Sequence, residues 1–259
     1  MNGQWRRVES WTPTQEELSR FDIYESFSNY GKDNENADMI VDVVKFAESE
    51  LVDLTATLHN VQDLNLGALK CDNLVQLGLP ELSAVKDYQF EKSPLYHVKL
   101  DKVQSIGNYA FADCSKLYNC EVGPDLTSIG EHAFEACVNL RSFADKHYAS
   151  IGQYAFAYTG LTGVLDQMQF GAVGLYAGNK GIRALDMTNM PNAVLCAHEF
   201  NGGDLTAIAY LGTSLKDCVF ANCRNLVSVY MPNLTSVNTG AFSGCTSLET
   251  IDLPAVTTV

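Results

Sequence analysis

Histidine and cysteine are the residues of this chain that could do nucleophilic or metal chemistry, and one short segment brings them together. In LTSIGEHAFEACVNL, residues 126–140, His132 lies five residues before Cys137, with Glu131 and Glu135 beside them. An imidazole base can activate a cysteine as a nucleophile, and Cys, His and Glu are all zinc ligands. The segment therefore raises the hypothesis of a thiol nucleophile or a metal site.

The wider pattern does not support a catalytic or metal site. The chain has five histidines, which are His59, His97, His132, His147 and His198. They show neither an H-E-x-x-H motif nor i, i+4 spacing, and the eight cysteines form no C-x-x-C pair. The segment GLYAGNKG at 174–181 lacks the register of a phosphate-binding loop, and NGGD at 201–204 has no tandem copies of a calcium-binding turn. The sequence therefore predicts no catalytic residue, no cofactor and no metal ligand.

A repeat of about 22 residues explains the segment instead. Near copies are IGNYAFADCSKL (106–117), IGEHAFEACVNL (129–140), IGQYAFAYTGL (151–161) and VNTGAFSGCTSL (237–248). The bulky anchor position of successive units is Leu69, Phe90, Phe111, Phe134, Phe156, Tyr176, Phe200, Phe220 and Phe242. This period is typical of leucine-rich repeats. KFAESEL at 45–51 is a candidate for a divergent tenth unit.

Each unit has a physical interpretation. The L-x-x-I-x-L-P segment ends in alternating apolar positions, which predicts a short strand that proline terminates. A second segment, LTSIG in its clearest form, has Gly107, Gly130 or Gly152 four residues before the anchor. Glycine tolerates positive φ, so we expect a left-handed corner at this position. The anchor should point into the stack beside a small alanine.

No single unit can bury its apolar face, so the units must stack into a solenoid of short strands and turns. We predict nine to ten units over 46–259. Residues 1–45 lack the repeat, and Thr12-Pro13 followed by apolar residues every third position predicts an N-terminal helical cap. The chain stops inside a unit at LPAVTTV. Repeat arrays need capped ends, so we expect further native chain or an assembly partner to cover this end.

The unit L-x-x-I-x-L-P-x-x-x-x-I-G-x-x-A-F-x-x-C-x-x-L resembles the BspA-like leucine-rich repeat family over about 61–259. The resemblance implies a right-handed leucine-rich repeat solenoid without catalytic residues. It also implies a cell-surface or secreted protein that binds host proteins, other cells or matrix, and similar repeats occur in phage tail-associated proteins. The units between 156 and 205 depart from the pattern, so we expect a local distortion or loop there.

Charge and hydropathy exclude some partners. The formal net charge is -14, and residues 1–60 hold 12 acidic and 5 basic side chains. An acidic surface repels phosphates, so we expect no nucleic-acid binding. No stretch approaches the roughly 18 to 20 apolar residues of a membrane span, so direct membrane insertion is not expected. MNGQWRRVES has no apolar signal-peptide core, which leaves a cytosolic location open.

Cysteine recurs at one position of the repeat. Cys114, Cys137, Cys223 and Cys245 all follow the anchor by three residues, and Cys71 follows Leu69 by two. A cysteine fixed to one repeat position is typical of a small buried filler. Parallel side chains in adjacent coils do not favour disulfides, so we expect free thiols.

A binding surface should be a face shared by many coils. The outward positions of the predicted strands are Gln76, His97, Lys99, Asn119, Glu121, Ser142, Leu165, Asp186, Ser228, Tyr230, Thr250 and Asp252. Small residues make the middle of this strip flat. Tyr230 and His97 should be its larger contacts, because aromatic residues dominate interface hot spots. An ordinary solvated sheet face is the alternative interpretation.

Two functions follow as hypotheses. The first is a non-enzymatic binding or adhesion module whose partner is a protein or a surface glycan. The second is a structural component of a larger assembly, such as a phage tail fibre or surface array, which self-associates through its C-terminal end. An enzyme would need convergent polar groups in a cleft, and the repeat predicts none.

Overall fold

The computed structural model describes residues 41–47, 52–58, 74–143, 150–162, 172–190 and 193–257. Its described part contains thirteen strands. They are β1 (Val41–Ala47), β2 (Val52–Leu58), β3 (Leu74–Gly78), β4 (Ala84–Val85), β5 (His97–Leu100), β6 (Ser105–Ile106), β7 (Asn119–Val122), β8 (Ser128–Ile129), β9 (Ser150–Ile151), β10 (Ala184–Met187), β11 (Ala207–Tyr210), β12 (Ser228–Tyr230) and β13 (Thr250–Asp252).

The strands form parallel sheets in which sequential coils are neighbours. One sheet has the order β1-β2-β3-β5-β7, a second has the order β10-β11-β12-β13, and the two-residue strands form a third, β4-β6-β8-β9. All pairings are parallel except that of β1 with β2. A strand followed by a turn and a second short strand repeats along the chain, so the predicted solenoid of short strands and turns is confirmed.

The N-terminal prediction falls mostly outside the described residues. The helical cap was predicted for 1–45, and residues 1–40 are not among those described. β1 covers 41–47 and forms an antiparallel hairpin with β2, an arrangement that differs from the parallel register of the repeat. β2 then pairs parallel with β3 and leads into the solenoid.

The period-2 pattern of the sequence explains the strand face. In β5 the side chains of Val98 and Leu100 are buried, whereas Lys99 between them is exposed. Pro80, Pro232 and other prolines follow strand ends by two residues, as expected for a residue that cannot donate to a ladder. The inward residues join one continuous apolar core that extends from Leu77 to Val256.

The anchors stack along the solenoid interior. Phe111 lies with its ring centroid 5.1 Å from that of Phe134, and Phe134 lies 5.2 Å from Phe156, with the rings nearly parallel. The preceding Ala133 and Ala155 are fully buried. The alanine therefore leaves room for the phenyl ring, as the sequence predicted.

We call the turn around each anchor residue the anchor turn. In each described anchor turn, the residue two positions before the anchor and the residue two positions after it have positive φ. They are Tyr88, Tyr109, His132, Tyr154, Gly174, His198, Cys218 and Gly240 before it, and Lys92, Asp113, Ala136, Tyr158, Gly178, Gly202, Asn222 and Gly244 after it. These turns point N–H groups at the following coil: Tyr109 donates to the carbonyl of Glu131 (2.9 Å) and Phe111 to that of Ala133 (2.7 Å). Three such bonds recur at every junction from Phe90 to Phe242.

The predicted positive φ of the glycines in the LTSIG segments was wrong. Gly107, Gly130 and Gly152 do not have positive φ. A Cβ atom on Gly107 would lie 2.6 Å from the backbone nitrogen of Asp87 in the preceding coil, and Gly130 is equally close to Asn108. Glycine is needed at this position because the backbones of adjacent coils approach each other there, and the left-handed residues are found two positions further on.

The irregular units keep the same inter-coil bonds. The cysteine position of the repeat holds Thr159 and Asn179 in this region, and both side chains are fully buried. The Asn179 amide donates to the Thr159 hydroxyl at 3.2 Å, and its oxygen accepts from the N–H groups of Gly181 and Ile182. Because every group has a partner, polar residues replace the thiols at this position without an unsatisfied donor.

Candidate binding face

Parallel register places the outward side chains of successive strands in two rows. Pairing aligns His97 with Asn119 and Lys99 with Glu121, and Asn119 continues to Ser142 through a parallel bridge. Since neighbouring strands are about 4.8 Å apart, each row is a regular ladder of side chains. We call the surface formed by both rows the strand face.

Most of the predicted face residues occupy these outward positions. In the first sheet one row contains His97, Asn119 and Ser142, with Gln76 at the matching register position, and in the second sheet it contains Ser228 and Thr250. The other row contains Lys99 and Glu121 in the first sheet and Asp186, Tyr230 and Asp252 in the second. Leu165 lies outside the described residues. The structure thus places these residues at equivalent outward positions of their strands. Their role in binding stays a prediction.

The polar groups of β5 and β7 contact one another. His97 Nε2 lies 3.2 Å from Glu121 Oε1, in an approach that lacks hydrogen-bond geometry and becomes an ion pair only when the imidazole is protonated. Asn119 donates to the same carboxylate oxygen at 3.2 Å. Lys99 Nζ lies 3.7 Å from Asp101 Oδ1. The charged groups in this half of the strand face therefore mostly have partners within the protein.

The outward side chains of the sheet β10–β13 are smaller and more acidic than those of β5 and β7. Ala184, Ala207 and Ala209 are its small outward residues, and Tyr230 projects from the next strand with 47% of its surface exposed. Asp186 accepts hydrogen bonds from the N–H and hydroxyl of Thr188, at 2.9 and 2.6 Å. These two bonds lower the pKa of the Asp186 carboxyl, so it is charged over the physiological range.

His132 and Cys137, which first suggested catalysis, are both packed as parts of the repeat. The imidazole of His132 stacks between the rings of Tyr109 and Tyr154, with centroids 4.6 and 5.2 Å away. Its Nδ1 lies 2.8 Å from Glu135 Oε2. The Cys137 thiol is fully buried, and burial raises its pKa well above the ordinary value. His132 and Cys137 thus form part of the repeat.

The predicted cysteine filler is confirmed for the described members. Cys114, Cys137 and Cys223 are buried and Cys245 is partly buried, all as free thiols. In the part of the chain that the structure describes, no cluster of three or more His, Cys, Asp or Glu side chains could hold a metal ion. The described residues also contain no helix with the length and apolar character of a membrane span.

Sequence reasoning missed a buried acid. Glu199 precedes the anchor Phe200 and is fully buried. One carboxylate oxygen accepts from the Cys196 N–H at 2.7 Å, and the other has no hydrogen-bond partner among the described residues. Burial raises the pKa of Glu199 to about 8. Comparison of the repeat columns could have found it, since alanine, leucine or valine occupies this position in most coils.

Comparison with known proteins supports the repeat assignment. The family model of the BspA type leucine rich repeat region matches in six copies over residues 45–162 and 198–259. No curated protein matches the chain in sequence.

Three solved structures illustrate the general similarity. The T. pallidum leucine rich repeat protein (TpLRR) is 21% identical, with 80% of this chain and 87% of that chain covered and a TM-score of 0.42. A leucine-rich repeat protein from Bacteroides ovatus is 18% identical, with 86% and 78% covered and a TM-score of 0.42. A leucine rich cell surface protein from Faecalibacterium prausnitzii is 20% identical, with 70% and 54% covered and a TM-score of 0.37.

Proposed function

Because the chain belongs to the BspA-type leucine-rich repeat family, we propose that it is a non-enzymatic protein-binding or adhesion module. The strand face is its docking surface, and the protein acts at a cell surface or outside the cell. The observation that supports this most directly is the shared register of outward side chains across successive coils. Such a row offers many side chains to one partner while the interior is used entirely for packing.

The buried groups favour binding over catalysis. The thiols of Cys137 and Cys223 donate to backbone carbonyls, and burial raises their pKa values, which suppresses the nucleophilic thiolate. Glu199 is enclosed in the core rather than in a cleft. A catalytic group must reach a substrate, and these groups do not.

A substitution series on the strand face tests the proposal. Purified protein is screened against extracellular-matrix proteins and an array of glycans, and the strongest partner is then titrated against variants. Ala209→Gln adds neutral bulk between Asp186 and Tyr230, and Tyr230→Ala removes the exposed ring. We expect each to weaken binding about tenfold or more, the range of an interface hot spot.

A matched control lies away from the strand face. Tyr158, in an anchor turn, has 52% of its surface exposed, and Tyr158→Ala should leave the affinity unchanged. Equal affinity of the wild type and Ala209→Gln would reject the strand face as the docking surface. A partner bound by all three variants alike would have to be held elsewhere on the solenoid.

The second candidate is a structural component that packs through the solenoid end, such as a phage tail fibre or surface array. It is favoured by Ile251 of β13, which is 50% exposed, whereas its register partner Val229 is 3% exposed. Sedimentation of the wild type and Ile251→Asp tests this role. Concentration-dependent association that Ile251→Asp removes would support it, and a wild type that stays monomeric would reject it.

A further inference from the structure

We infer that the acidic half of the strand face, formed by the outward side chains of β10–β13, binds an extended segment of a basic protein with cationic residues at positions i and i+4. This inference rests on the docking role proposed above and specifies both the half of the face and the chemistry of the partner. Asp186, Tyr230 and Asp252 are the residues that would make the main contacts.

The first argument is the charge of this surface. The outward positions of β10–β13 hold two carboxylates, Asp186 and Asp252, and no cation. Arg183, at the edge of β10, is directed to Asp204, with 3.4 Å between Nη1 and Oδ2. In the described part of the chain, the carboxylate of Asp252 and the hydroxyl of Tyr230 form no ion pair or hydrogen bond. Both are therefore free for a partner, in contrast to the paired groups of β5 and β7.

The second argument is shape. Ala209 lies between Asp186 and Tyr230 in one row, Ala207 lies between Ala184 and Ser228 in the other, and neither fills the space above the sheet. A backbone can approach such a flat floor closely. Tyr230 stands beside it and can offer its ring to a guanidinium or ammonium group, since cations bind over aromatic faces. An aromatic ring beside two carboxylates favours a cationic ligand over a neutral one.

The third argument is spacing. Register places Asp186, Ala209, Tyr230 and Asp252 in one row. Three strand spacings of about 4.8 Å separate the two aspartates by about 14 Å. An extended segment rises about 3.3 Å per residue and shows alternate side chains on one side, so residues i and i+4 face the sheet about 13 Å apart. The middle residue, i+2, then lies above Ala209 and Tyr230.

Charge also argues against other occupants of this surface. A second copy of the chain has a net charge of -14, and residues 1–60 carry a net charge of -7 from 12 acidic and 5 basic side chains. Both would be repelled by the two aspartates, and so would a nucleic acid. A basic segment is attracted at long range by the same field, which raises its association rate.

Two labelled peptides of identical composition test the inference by fluorescence anisotropy at low ionic strength. The spaced peptide, GGRATARGG, has arginines four residues apart, and the adjacent peptide, GGRRATAGG, has them side by side. We expect the wild type to bind the spaced peptide about threefold more tightly or better, as two exposed ion pairs allow. Added salt should weaken the preference.

Charge-matched variants locate the binding site. Asp186→Asn with Asp252→Asn should remove the preference for the spaced peptide. The control pair Asp125→Asn with Asp217→Asn has the same net charge, changes exposed aspartates outside the strand face and should keep the preference. Equal binding of both peptides, no binding of the spaced peptide, or a preference that survives in the Asp186/Asp252 variant would each overturn the inference.

The outcome separates this inference from the proposed function. If Ala209→Gln weakens binding of the partner found in the screen while the Asp186/Asp252 variant does not, the docking role stands and the basic partner is rejected. If Ala209→Gln has no effect on that partner, the docking role itself fails. A neutral glycan whose binding needs Tyr230 but neither aspartate would also reject the basic segment.

Discussion

The thiol of Cys137 donates a hydrogen bond to the carbonyl oxygen of Phe111, 3.0 Å away and one coil earlier. The same bond links the other cysteines of this position to the preceding anchor: Cys114 to Phe90, Cys223 to Phe200 and Cys245 to Phe220. Cysteine is therefore more than a small apolar filler here, because each thiol connects two coils through a buried donor.

Thiol reactivity should follow this burial. Burial raises the pKa of Cys223 to about 12 and that of Cys137 well above its ordinary value, so both remain protonated at pH 8. Cys218 lies off the column and is partly exposed. We expect iodoacetamide to label Cys218 in the native protein long before Cys137 or Cys223. Peptide mapping over time measures this, with guanidinium-unfolded protein as the control. Equal native rates at Cys137 and Cys218 would contradict the prediction.

Glu199 should make stability fall as pH rises. Its folded-state pKa is about 8, against an ordinary value of 4.5, so the folded chain holds the carboxyl neutral while the unfolded chain ionises first. The free energy of unfolding is therefore highest below pH 4.5 and decreases as the pH rises to about 8. A shift of this size corresponds to about 5 kcal/mol in total.

The variant Glu199→Gln isolates this contribution. Glutamine keeps the size of the side chain and cannot ionise, so urea unfolding of the variant should depend less on pH between 5 and 8 than that of the wild type. Glu249→Gln, at an exposed position, should retain the wild-type dependence. Parallel stability curves for the wild type and Glu199→Gln would show that Glu199 is not the cause.

Ala136→Gly should be tolerated or stabilising. Ala136 has φ of 59°, and the left-handed conformation costs a residue with a Cβ roughly 1–2 kcal/mol. Glycine avoids that cost but loses about 0.5–1 kcal/mol through its greater freedom when unfolded. We expect a gain of up to about 1 kcal/mol in urea unfolding. Ala133→Gly, at a fully buried alanine without positive φ, should instead lose about 1–2 kcal/mol. Equal losses in both variants would refute this account.

The repeat made the strand register and the strand face predictable from the sequence. Alternation in each unit identified the buried partner Val98 and the outward Lys99, and stacking at a fixed period then aligned the rows. The left-handed turns could not be predicted in this way, because the bulky Tyr109 and Tyr154 are poor candidates for positive φ. Bonds between coils outweigh that local preference, and they are invisible in a single unit.

The difference between the two halves of the strand face was equally hidden. Glu121 is engaged by His97 and Asn119, whereas the carboxylate of Asp252 has no such neighbour in the described residues. The sequence shows a carboxylate at both positions. Which of them is neutralised depends on side-chain geometry across strands, and the repeat period does not determine that geometry.

The three backbone bonds at each junction have a mechanical consequence. They point along the axis from one coil to the next. A force that separates the two ends of the solenoid therefore pulls directly on these bonds at each junction. Coils would detach one after another, each at a similar force and each releasing about one repeat of slack chain. A solenoid built in this way yields gradually under load, one coil at a time.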